Sequence, residues 1–211
     1  DEAKKKAREN ANFSQKTDKY ANVFDGIEGE STFVGYDEVK CDANIMALAK
    51  DSTVVDMLAA GDEGVIITDV TPFYATMGGQ EGDTGVISTE NGSFKVKETI
   101  KLRGGKYGHV GTMVSGMIST GDTVKLAVDE AARKDTCKNH SATHLLQKAL
   151  KEVLGSHVEQ KGSLVAPGRL RFDFAHFQAM TADEIAAVEA IVNKEIQASL
   201  PVVTEIMNLE D

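Results

Sequence analysis

The hydrophobic period of this chain changes once. Up to Asp129 the apolar residues fall in short β-prone runs, at 64–70, 85–88, 94–102, 109–114 and 123–128, separated by glycine-rich turns. A period of two places alternate side chains on one face of a strand. Five or six such runs at near-regular spacing, with no long helix between them, predict a small closed barrel or sandwich over residues 30–130. Asn91-Gly92 reads as a type I′ hairpin between two of the strands, and 43–58 as a short helix beside them.

After Asp129 the apolar residues recur about every 3.6 positions. Residues 139–154 place Leu145, Leu146, Ala149, Leu150, Val153 and Leu154 on one helical face and stop at Gly155. Over 163–174, Leu170, Phe172 and Phe174 alternate with Arg171 and Asp173 behind a Pro167-Gly168 turn, which predicts a hairpin with one buried face. Thr181 opens a second helix, with Glu184 at the capping-box position, Ile185, Val188, Ile191 and Val192 inward, and Pro201 beyond its end. The expected class is therefore α+β. A helical linker ends within 1–29, its charged, Ala-rich part being 1–16; the barrel spans 30–130, and an α/β domain occupies 131–211.

Composition narrows the function. Lys and Arg number 23 against 33 Asp and Glu, a formal charge of -10, so nothing draws the chain as a whole to phosphate backbones. A nucleic-acid contact needs a local patch, for which Lys95, Lys97, Lys101, Arg103 and Lys106 are candidates, although alternating lysines on a strand also make an ordinary solvated face. Aromatic residues are only 6%, with no Trp, which supplies a base-stacking platform poorly. Cys41 and Cys137 form neither a disulfide framework nor a four-cysteine zinc site, and a reducing, cytoplasmic setting is the default. No apolar run reaches the roughly 20 residues of a membrane-spanning helix. The first residues, Asp1-Glu2-Ala3-Lys4-Lys5-Lys6, carry neither Met nor an apolar signal core, and the chain reads as a soluble, excised stretch.

His140 and His144 stand one helical turn apart, on one face, roughly opposite the leucine stripe, so both imidazoles can reach one metal ion. The same spacing fits capping or core histidines. Ser141 occupies the position of the general-base Glu in H-E-x-x-H, which excludes that type of zinc protease. Cys137 joins the pair only if the helix starts early, and an ordinary thiol near a helix start is its plainer reading. Residues 71–85 are dense in glycines that permit close backbone approach, and Gln160-Lys161-Gly162-Ser163 forms a polar spot that also reads as a loop before the hairpin.

Several ordered motifs together resemble the alanyl-tRNA synthetase family. They are Phe73-Tyr74 with Gly78-Gly79-Gln80 and Asp83-Thr84-Gly85, Asn139-His140-Ser141-Ala142-Thr143-His144-Leu145-Leu146, His157-Val158-Glu159-Gln160-Lys161-Gly162-Ser163-Leu164-Val165, and Leu170-Arg171-Phe172-Asp173-Phe174, covering nearly the whole chain. The resemblance implies a translation-factor-like β-barrel followed by the α/β editing domain shared with threonyl-tRNA synthetase, which hydrolyses Ser-tRNA(Ala) and Gly-tRNA(Ala) made in error. It implies a zinc site in which His140 and His144 are joined by a Cys-x-x-x-His pair, expected beyond residue 211. The domain that binds ATP with Mg2+ and alanine is expected before residue 1, and the stretch alone is expected to be inactive. The acceptor end of tRNA(Ala), carrying a seryl or glycyl ester, becomes the expected partner, with no membrane. Gln160, with Thr143 and Ser163, becomes the candidate catalytic set, placed to hydrogen-bond the serine hydroxyl or position the ester. A free-standing alanyl-tRNA editing hydrolase and a non-catalytic tRNA-binding module are the alternatives. The charged helical lead favours the synthetase.

Overall fold

A computed structural model describes residues 20, 22–203 and 205, so the expected helix over 1–16 lies outside the described residues. The chain divides into two compact units, residues 1–133 and 134–211.

The first unit is a closed barrel. Its strands are β1 (Thr32–Phe33), β2 (Lys40–Lys50), β3 (Thr53–Val55), β4 (Met57–Ala59), β5 (Glu63–Thr68), β6 (Val70–Thr71), β7 (Gly85–Ser88), β8 (Gly92–Lys101), β9 (Tyr107–Ser119) and β10 (Thr123–Val128). Six of them pair in the order β10-β7-β8-β9-β5-β2, and β10 pairs back onto β2 antiparallel, with Val124 opposite Ala43. Closure leaves no edge on the ring. Alternation decides what goes inside: Phe94 and Val96 on β8, and Val124, Leu126 and Val128 on β10, are buried, while Lys95 and Lys97 are exposed. They meet Ile66, Phe73, Ile87 and Met113 in one core.

The stretch 43–58 is not a helix. Ala43, Ile45, Ala47, Leu48 and Ala49 favour a helix by alanine content, but they lie in the long strand β2, buried on both faces. A register shift between Ile45 and Ala47 sends both Ile45 and Leu48 to the barrel core. Ala47 and Ala49 face a second cluster outside the barrel, with Tyr20, Phe24, Val65, Ile67 and Ile100. Packing on two sides overrides the local propensity.

The expected hairpin around Asn91-Gly92 forms between β7 and β8, but its turn is not type I′, because neither Glu90 nor Asn91 has a positive φ. Gly92 is needed for close approach: a Cβ there sits 2.4 Å from the Met117 carbonyl oxygen. Opposite it, Gly116 has φ +65, and a Cβ would lie 1.7 Å from the Asn91 carbonyl oxygen.

The helix α1 (Glu130–Leu154) begins nine residues before the expected start at 139. The Asp129 carboxylate accepts from the backbone N–H groups of Ala131 and Ala132, both at 3.1 Å, and so caps it. In the second unit, β11 (Gln160–Ala166) and β12 (Arg169–Phe174) form the hairpin around Pro167-Gly168. The polar spot 160–163 is therefore strand, not loop, with a bulge between Gln160 and Gly162. The helix α2 (Ala182–Ala198) carries the complete Thr181–Glu184 capping box. Its Val188 packs with Ala149, Leu150 and Val158, and Ile191 and Val192 join them, whereas Ile185, expected inward, is exposed.

Candidate functional site

On α1, Ala149 and Leu150 are buried and Leu146, Val153 and Leu154 pack against them, so the opposite face is free to carry polar groups. His140 and His144 lie there, exposed, with ring centroids 5.2 Å apart and planes 13° from parallel. Partial shielding first, and the neighbouring His144 second, hold the His140 imidazole below its ordinary pKa. The early helix start does place Cys137 one turn before His140, exposed. Even so, among the described residues no three His, Cys, Asp or Glu side chains are grouped to hold a metal ion.

Thr143, next to His144 in sequence, is buried, and its hydroxyl donates to the Asn139 carbonyl at 2.8 Å. The Asn139 amide in turn donates to the carbonyls of Ala166 and Pro167, at 2.7 and 3.1 Å, tying the residue before His140 to the hairpin turn. Gln160 is the exposed first residue of β11, opposite Phe174; Ser163 is half-buried opposite Phe172. A cleft of about 980 Å³ runs along α1, lined by Cys137, Ser141 and His144 and by Ile196, Leu200 and Val203. Leu145, counted with the core stripe in the sequence, also faces it. His140, Thr143, Gln160 and Ser163 do not line this cleft.

Two groupings have no local sequence signal. His157 and His176 share a ring-to-ring hydrogen bond, Nε2 to Nδ1 at 2.9 Å, at the open end of the hairpin, where Ala175 N–H also donates to the Glu159 carbonyl at 3.0 Å. In the first unit, Arg133 clamps Asp83: Nε donates to both carboxylate oxygens at 2.9 and 3.0 Å, Nη2 donates to Asp83 as well, and the guanidinium also reaches the carbonyls of Gly35 at 2.7 Å and Pro72 at 2.9 Å. The pair is nearly buried, with side chains 14% and 5% exposed. This clamp, with the Asp83 carboxylate accepting from Tyr74 N–H at 2.6 Å, gives the 71–85 segment its fixed shape.

The candidate basic patch is mostly spent on neighbours. Lys97 pairs with Glu63 at 2.9 Å, Arg103 donates to Asn22 at 3.1 Å, and Lys106 is buried. No helix among the described residues is long and apolar enough to cross a membrane.

A barrel joined to a histidine-bearing helix is accompanied by a family match: the model for "tRNA synthetases class II (A)" covers residues 1–132. The chain belongs to that family. Its curated relatives sharpen the resemblance read from the motifs. It is 51% identical over 193 residues to "Alanine--tRNA ligase 1" of Lachnoclostridium phytofermentans, covering 90% of this chain and 22% of that protein. It is 46% identical over 210 residues to "Alanine--tRNA ligase" of Saccharophagus degradans, covering 100% of this chain and 23% of that protein. "Alanine--tRNA ligase" of Thiobacillus denitrificans is 48% identical over 181 residues, 86% of this chain and 21% of that protein. The resemblance to alanyl-tRNA synthetase is thus borne out, over about a fifth of the relatives' length.

Proposed function

We propose that the polypeptide carrying this sequence joins alanine to tRNA(Ala) with ATP and Mg2+ at a domain outside these residues, and that its second unit belongs to a centre hydrolysing seryl and glycyl esters of tRNA(Ala). A pocket built for alanine cannot sterically refuse glycine, and serine adds only a hydroxyl, so discrimination by binding is modest and a second, hydrolytic site is the remedy. The observation that supports this reading is the parallel His140–His144 pair on the exposed face of α1.

Two exposed imidazoles one turn apart, with the His140 ring held below its ordinary pKa, fit half of a zinc donor set. His140 and His144 would hold the ion with ligands from elsewhere in the polypeptide. When bound, zinc supplies a charge that orients the amino acid or acidifies water. Asn139 fixes the register of this turn against the hairpin, and Thr143, its proton donated to the Asn139 carbonyl, keeps its hydroxyl oxygen as an acceptor. Gln160, with both amide donor and carbonyl acceptor in reach of solvent, and Ser163 position the serine hydroxyl and the ester.

Preformed Ser-tRNA(Ala) and the full polypeptide carrying this sequence test the reading. His144→Ala should abolish deacylation while pyrophosphate exchange on alanine stays near the unsubstituted level, since the ring is exposed and its loss spares the core. Normal deacylation by this variant, or equal loss of both activities, refutes the assignment.

A further inference from the structure

The barrel unit carries an aromatic surface that its cores do not use. Phe33 is the hub: Tyr36 meets it edge-on with ring centroids 5.1 Å apart, Tyr74 at 6.1 Å, and Tyr107 lies parallel at 5.6 Å. Three of the chain's four tyrosines gather in this one patch. None of the four rings belongs to either hydrophobic cluster of the unit, all are at least partly exposed, and Tyr36 is 84% exposed. The low aromatic content of the sequence argued against a stacking platform, but the fold concentrates what there is.

The patch is held rigidly. Arg133 binds the carbonyls of Gly35, beside Tyr36, and Pro72, two residues before Tyr74, and Asp83 accepts from the Tyr74 N–H. Gly35 lies so close to the other segment that a Cβ would sit 2.2 Å from the Pro72 carbonyl oxygen. The backbone that carries Tyr36 and Tyr74 therefore needs little further ordering to receive a ligand. Burial first, then Tyr36, Tyr107 and Asp83, push the Tyr74 phenol above its ordinary pKa. Lys101 completes the patch with its Nζ 3.7 Å from the centre of the Tyr107 ring.

Ring faces, phenolic hydroxyls and one cation match an unstacked nucleobase and its phosphate better than they match an apolar protein segment. We infer that this patch is a stacking platform for the single-stranded 3′ end of tRNA, with Tyr36 under a base and Lys101 beside the neighbouring phosphate. The inference rests on the reading above, that the polypeptide acts on tRNA.

The test measures binding of the full polypeptide to a tRNA(Ala) transcript and to the same transcript lacking its unpaired 3′ nucleotides. Tyr36→Ala should weaken binding of the intact transcript roughly five- to hundredfold, the loss of one base–aromatic stack, and leave the truncated transcript unaffected. Tyr36→Phe should restore most of it. Lys101→Ala should instead lower the steepness of the salt dependence by about one counterion. If the unsubstituted polypeptide binds neither transcript, the tRNA reading itself fails. If it binds and Tyr36→Ala binds equally well, or loses as much with the truncated transcript, the platform is refuted while that reading stands. A lower melting temperature for Tyr36→Ala with unchanged binding shows that another protein segment covers the patch, and also refutes it.

Discussion

His109 offers the clearest energetic test of the barrel. Its side chain is completely buried, with Nδ1 2.9 Å from the Ile66 carbonyl and Nε2 2.8 Å from the Thr71 hydroxyl. A carbonyl can only accept, so Nδ1 carries the proton and Nε2 accepts from Thr71, whose oxygen accepts in turn from the Phe73 N–H at 3.1 Å. Burial lowers the ring's pKa from 6.5 to about 4, so at neutral pH the ring is neutral and Nε2 is the acceptor. A folded-state pKa below the unfolded value means that the unfolded chain takes up the proton first as pH falls. The stability from this group is complete above about 6.5 and is lost progressively down to about 4. With those two values, the loss between about pH 7.5 and pH 5 is roughly 2 kcal/mol. Urea titrations followed by far-ultraviolet circular dichroism at the two pH values, on the unsubstituted chain and on His109→Gln, isolate it from the carboxylates, which act equally in both. His109→Gln should be less stable at the higher pH, and the gap should narrow by roughly 2 kcal/mol at the lower. A gap independent of pH would refute the argument.

Arg133→Ala leaves the Asp83 carboxylate, 5% exposed, without its guanidinium and should cost roughly 3 to 5 kcal/mol in a urea titration. Arg133→Lys should recover only part of that, because an ammonium cannot reproduce the fork onto Asp83, Gly35 and Pro72, and a cost below about 1 kcal/mol for Ala would refute the clamp. At about pH 8, iodoacetamide should modify exposed Cys137 well before Cys41, whose thiol is pushed up to about 11 by burial and then by Glu38, Asp42 and Asp69. Peptide mass mapping reads this, and equal labelling would count against it.

What the sequence determined alone is what repeats locally. Strands β7 and β10 fall where the period of two places them, the Thr181–Glu184 cap forms as written, and His140 and His144 share a helix face because four residues make one turn. The family, too, was legible, since ordered motifs survive in one dimension. The tertiary structure decided whatever depends on residues far apart in the chain. Alanine-rich β2 becomes a strand because β5 and β10, about 20 and 80 residues further on, supply its backbone partners and two cores bury its faces. Phe33, Tyr36, Tyr74 and Tyr107 have no periodic relation, and they form one surface only because Arg133, Gly35 and Asp83 bring the first three segments together and the Tyr107 N–H donates to the Ser31 hydroxyl. Local patterns report the preferences of neighbours along the chain, whereas such pairings depend on which loops close, and that choice is made by the packing of the whole barrel.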